Sequence, residues 1–77
     1  MNNPTPAEIV AAIRADWAKP SYAAVPYLDA LANLQSWDAR YMYDTARGLA
    51  AYLLANLGSY RGPVAKSVKA TLKEVSK

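Results

Sequence analysis

Seventy-seven residues that are 53% hydrophobic, with nine Lys and Arg against six Asp and Glu, exclude a disordered chain, because so apolar a sequence at a net charge of only +3 can offset its conformational entropy by burial. The length suits one domain over residues 1–77, a size that hides only about 60% of its unfolded surface from water. Cysteine and histidine are absent, which excludes disulfides, thiolate metal sites and the usual catalytic triads, and suits a reducing cytoplasm.

The opening MNNPTPAEI carries amides, prolines and an acid where a secretory signal would carry a basic start and an apolar run, so export by that route is not expected. TPAE at 5–8 reads as a helix start, with Thr5 as N-cap, Pro6 at the first helical position and Glu8 completing a capping box. Ile9, Val10, Ile13 and Trp17 then share an arc that omits Glu8, Arg14, Asp16 and Lys19, which predicts an amphipathic helix over 6–19, stopped by Pro20. Pro26 opens a second helix over 26–35, with Tyr27, Leu28, Leu31 and Leu34 opposite Asp29 and Asn33.

NLQSWDARYMYD gives mixed signals, since Ser36, Asp38 and Asp44 are each plausible N-caps. The expectation is a turn or short helix around 37–42 and a third helix over 44–57. In that helix Leu49, Leu53, Leu54 and Leu57 are joined by alanines, Arg47 is the only charge after Asp44, and Gly58 is placed to act as a left-handed C-cap. A segment apolar almost all round reads as the central, buried helix. Its uncharged run from Gly48 to Tyr60 is well short of the roughly 20 residues a membrane span needs. RGP at 61–63 starts the last helix, 63–76, in which Val64, Val68, Leu72 and Val75 face one way and Lys66, Lys69, Lys73 and Lys77 the other. No β-type alternation is visible, so the predicted fold is all-α, a compact bundle of four short helices.

Basicity is concentrated at one end. Residues 61–77 carry five cations against Glu74, whereas residues 1–60 carry four cations against five carboxylates. Arg61, Lys66, Lys69, Lys73 and Lys77 are therefore candidate nucleic-acid contacts, and the third and fourth helices joined by GSYRG admit a helix-turn-helix reading. The bland account is a solvated face: lysines near a helix C-terminus are favoured by its dipole and keep a small domain in solution. Arg, Asn and Gln, the common readers of base edges, are missing from that face, and a five-residue turn is long for the motif. Membrane-surface binding lacks the bulky aromatics it would need beside the valines, and no membrane partner is expected.

Trp37, Arg40, Tyr41, Met42 and Tyr43 combine the residue types enriched in interface cores, and they fall in a connecting segment, where packing demand is lowest. They are candidate protein contacts, to be weighed against rings that merely cap the end of a small bundle. Trp17 reads as core. Tyr60, beside Arg61, reads as a stacking partner or a staple of the turn. The six carboxylates are scattered, and Glu8, Asp38 and Asp44 are accounted for as helix-start residues. No acid/base pair, phosphate loop or dinucleotide fingerprint can be assembled, so no catalytic residue, metal, cofactor or small-molecule substrate is assigned.

DW at 16–17, PYLDAL at 26–31, YMYD at 41–44, YLLANL at 52–57 and YRGPVAKSVKATLK at 60–73 together resemble short uncharacterised proteins of actinobacteria and their phages. The resemblance spans nearly the whole chain and implies a small cytoplasmic accessory protein that works by binding. The leading expectation is thus a non-catalytic helical module that contacts another protein or a second copy of itself. The alternative is nucleic-acid binding through the basic C-terminal helix.

Overall fold

A computed structural model describes residues 4–76, in the order α1 (Pro6–Asp16), α2 (Val25–Leu31), β1 (Arg40–Tyr41), β2 (Asp44–Thr45), α3 (Ala46–Ala55) and α4 (Pro63–Val75). The four expected helices are present. The chain is nevertheless not purely helical, because β1 and β2 pair antiparallel as a two-stranded hairpin where a turn or short helix was expected around 37–42. The expected turn survives only as the tight bend closed by Ala39 N–H donating to the Ser36 carbonyl at 3.1 Å.

At the start of α1, Glu8 N–H donates to Thr5 Oγ1 at 3.1 Å and Thr5 N–H donates to Glu8 Oε1 at 2.8 Å, which closes the capping box. Pro6, Ile9, Val10 and Ile13 form its buried stripe. The helix ends at Asp16, not Lys19. Trp17 leaves it in an extended conformation (φ −106°, ψ 95°), and its ring stacks on Tyr60 with centroids 4.8 Å apart and planes 16° from parallel. A helical Trp17–Lys19 would forgo that stack.

Pro26 occupies the first turn of α2, which starts at Val25 and stops at Leu31 rather than spanning 26–35. Beyond Leu31 the chain is held elsewhere: Ala7 N–H donates to the Leu34 carbonyl at 3.0 Å, so an otherwise open amide of the first turn of α1 is satisfied by the loop after α2. Arg14 Nη2 and Asp29 Oδ1, 2.5 Å apart, link the two helices at the surface, an exposed pair worth at most about 1 kcal/mol.

Thr45, not Asp44, caps α3. Its Oγ1 accepts from Gly48 N–H at 3.1 Å, while Asp44 belongs to β2. The helix ends at Ala55 rather than Leu57, and Gly58 does not adopt the left-handed conformation expected of it. Asn56 stops the helix instead. Its Nδ2 donates to the Tyr52 carbonyl at 2.8 Å, and Ser21 Oγ donates to the Asn56 carbonyl at 3.3 Å, so side chains satisfy two carbonyls at this helix end. Nor is α3 buried all round: Ala46, Leu49, Ala50 and Leu53 face inward, while Ala51, Tyr52 and Ala55 are exposed.

Gly62 is the N-cap of α4 and holds φ 117° and ψ 177°, a region that only glycine occupies without strain. The helix closes at Val75, with Ser76 as its cap. Ala65, Val68, Leu72 and Val75 form its buried stripe; Val64, expected to face inward, is 41% exposed.

Each helix packs against two others. α1 lies against α2 and α4, and α3 lies against the same two and also against β2. Ile13, Leu28, Leu31, Leu53, Leu57, Tyr60 and Leu72 fill the space between them and are fully buried, each apolar side chain contributing on the order of 1.5–3 kcal/mol. The radius of gyration, 11.1 Å, agrees with the roughly 11.5 Å expected of a folded domain of this length. Among the described residues, no helix is long and apolar enough to cross a membrane.

Candidate protein-contact surface and basic cavity

Segment 36–45 is built from the cap of α3 outward. Ala46 N–H, at the first turn of α3, donates to the Ala39 carbonyl at 2.8 Å; Arg40 then pairs with Thr45 and Tyr41 with Asp44, which leaves Met42 and Tyr43 as a two-residue loop. Loops this short need primed turns, with φ positive at the first central residue, and Met42 duly holds φ 58°. Glycine or asparagine is the usual occupant.

The five candidate contact residues divide accordingly. Trp37 is 9% exposed, belongs to the core, and donates from Nε1 to the Pro4 carbonyl at 2.7 Å. Arg40 is exposed, and Tyr41, Met42 and Tyr43 are 42%, 79% and 95% exposed. The tip is therefore a knob of two phenols and a thioether with a guanidinium at its base. Arg47 anchors it from the other side, donating from Nε to Asp38 Oδ1 at 3.2 Å and from Nη1 to the Val75 carbonyl at 3.0 Å. The second bond satisfies a carbonyl at the end of α4 and ties that helix end to the bend that leads into the hairpin.

The basic residues separate as well. Arg61, Lys66 and Lys73 are exposed, Lys69 is half-buried, and Lys77 lies outside the described residues. Arg61, Lys66 and Lys69, with Tyr60, Gly62 and Ala65, line an open cavity of about 260 Å³ at the start of α4. Neither ion pair found among the described residues involves any of the three cations. Seven residues, 56–62, separate α3 from α4, so the pair lacks the tight turn of a helix-turn-helix.

Tyr60 is core, 1% exposed, its ring stacked on Trp17, and among the described residues its buried hydroxyl closes no hydrogen bond of good geometry. Burial and, after it, the nearby Asp16 carboxylate push its phenol up to about 12. Asp16 acts on the hydroxyl first as a nearby acceptor and then through its charge, although the contact falls short of a hydrogen bond of good geometry. The aromatic side chains that sequence reasoning did not single out are Tyr22, 96% exposed in the α1–α2 connection, and Tyr52, whose ring stacks on Tyr27 at 5.8 Å on the outer side of α3.

Among the described residues no group of three carboxylates gathers to hold a metal ion. No family model, curated protein or solved structure matches this chain.

Proposed function

We propose that the chain is a small non-catalytic binding module of the cytoplasm, an accessory or regulatory protein of actinobacterial or phage type, that acts by protein-protein contact or self-association through the hairpin tip. One observation carries the reading. Met42 occupies a left-handed position that glycine would fill without strain, and it presents 79% of its surface to solvent between Tyr41 and Tyr43. A non-glycine residue held there costs on the order of 1–3 kcal/mol, and an exposed side chain returns none of it through packing. Strain kept at an exposed methionine supports a role in contact with a partner, and Tyr, Met and Arg are the residue types that interface cores favour.

Size-exclusion chromatography with light scattering, on the wild type and on a Tyr41→Ala, Tyr43→Ala double variant, tests the reading. The wild type is expected to self-associate, or to retain a protein partner that the variant loses. A wild type that stays monomeric at every concentration and retains nothing from lysate would overturn it.

A second reading, non-specific nucleic-acid binding through Arg61, Lys66, Lys69, Lys73 and Lys77, is favoured by three of these cations standing together without ion pairs among the described residues. Contact of that kind weakens steeply with salt, with a log-log slope of about −3 to −5 if most of the groups meet phosphates. Titration with duplex and single-stranded DNA at two salt concentrations measures it, and no binding at low salt ends it.

A further inference from the structure

We propose that the cavity at the start of α4 is a seat for the phosphate group of a small phosphorylated ligand. Three positive charges, Arg61 from the connection and Lys66 and Lys69 one turn apart on α4, surround about 260 Å³ of open space, and neither of the ion pairs found among the described residues neutralises them. An anion seated in that space would be attracted by all three. A planar guanidinium offers two parallel donors to a phosphate, and ammonium groups supply mobile point charges around it.

Backbone features point the same way. The N-terminus of α4 has no side-chain cap and no acid in its first turn, so its partial positive charge is uncompensated. A Cβ placed on Gly62 would meet no atom within 4 Å, which means that the space beside its backbone is open to a ligand. Tyr60 also lines the cavity, but its hydroxyl is buried away from solvent and is not counted among the groups that would meet the phosphate. Asp16, the carboxylate that bears on Tyr60, is not among the lining residues. A single carboxylate would leave two of the three cations unmatched, whereas a phosphate monoester brings up to two charges and three oxygens. The cavity exceeds the size of a phosphate group, which leaves room for the start of whatever bears it.

This seat is independent of the hairpin tip, and it differs from the second reading in using three converging cations rather than the whole row. Lys73 separates the two, because it belongs to the row but does not line the cavity.

The test is an NMR titration of the isotope-labelled full chain at low ionic strength with inorganic phosphate, with adenosine monophosphate, and with sodium chloride as the ionic-strength control. Saturable shifts centred on the amides of Arg61, Gly62, Ala65, Lys66 and Lys69, with a Kd of about 1 mM or tighter for phosphate or the nucleotide, are expected. Tighter binding of the nucleotide would assign the ligand to that class, and equal binding would assign it to the phosphate group alone. Arg61→Gln and Lys66→Gln should each weaken binding about tenfold, and Lys73→Gln less than twofold. Chloride and phosphate acting alike at equal ionic strength would overturn the proposal. So would Lys73→Gln weakening binding as much as Lys66→Gln, which would hand the cations to the row; a localised phosphate response in a chain that binds no DNA would end the row reading and leave the seat standing. The substituted side chains are solvent-facing, and the comparison of phosphate with chloride on the wild type stands without them.

Discussion

Two side chains sit where local physics would choose otherwise. Tyr60 buries a hydroxyl that closes no hydrogen bond of good geometry among the described residues, which costs more than burying a plain ring, so Tyr60→Phe should keep the Trp17 stack and leave stability unchanged or raised by about 1 kcal/mol, read from urea midpoints at neutral pH. The same phenol fixes a pH effect. Its folded-state value is raised to about 12 from 10, so between those values the unfolded chain has released the proton and the folded chain still holds it. Stability contributed by the protonated phenol is therefore present below pH 10 and is lost as pH rises from 10 towards 12. Wild type should lose stability over that interval faster than Tyr60→Phe, measured as the difference between their urea midpoints at pH 9 and pH 11. At the tip, Met42→Gly should relieve left-handed strain and stabilise the fold by up to about 1 kcal/mol while weakening any contact the tip makes; thermal unfolding and chromatography, run on the same sample, read the two effects separately.

At the scale of elements, legibility followed the local signals. The capping box of Thr5 and Glu8, the opening prolines of α2 and α4, and the apolar stripes of α1 and α4 were readable because each depends on residues within one or two turns. Two of the boundaries that shifted are set by distant partners: Trp17 leaves α1 for Tyr60, and the chain leaves α2 so that Leu34 can reach Ala7; the ends of α3 shifted because Thr45 and Asn56 outcompeted Asp44 and Gly58 locally. The hairpin was illegible for a different reason. Strands of two residues are too short to show alternation, and a Met-Tyr loop lacks the glycine or asparagine that announces a primed turn. Within the candidate contact segment, Tyr41, Met42 and Tyr43 were readable by residue type, whereas the burial of Trp37 depends on the carbonyl of Pro4, far away in sequence. Two glycines give the matching experiment. Gly62→Ala forces a side chain into a glycine-only conformation although space is open around it, and should cost about 1–3 kcal/mol; Gly58→Ala, equally uncrowded and without a positive φ, should be neutral or stabilising by up to about 1 kcal/mol. Chemical denaturation of the two variants side by side makes the comparison.

For the molecule as a whole, a core this small leaves little reserve. Leu28 is fully buried between helices, and Leu28→Ala should remove about 2–5 kcal/mol, a large share of the roughly 5–15 kcal/mol that holds a domain together, with a fall in Tm of about 4–8 °C for each kcal/mol. Calorimetry at a fixed protein concentration checks it, since self-association through the tip would otherwise make Tm depend on concentration. The closed arrangement of helices, in which α1 packs against α4, has its own effect during biosynthesis. During synthesis α1 meets α4, one of its two neighbours, only once α4 has also left the ribosome, so the side of the interior between them stays open to water, and to chaperones, until then.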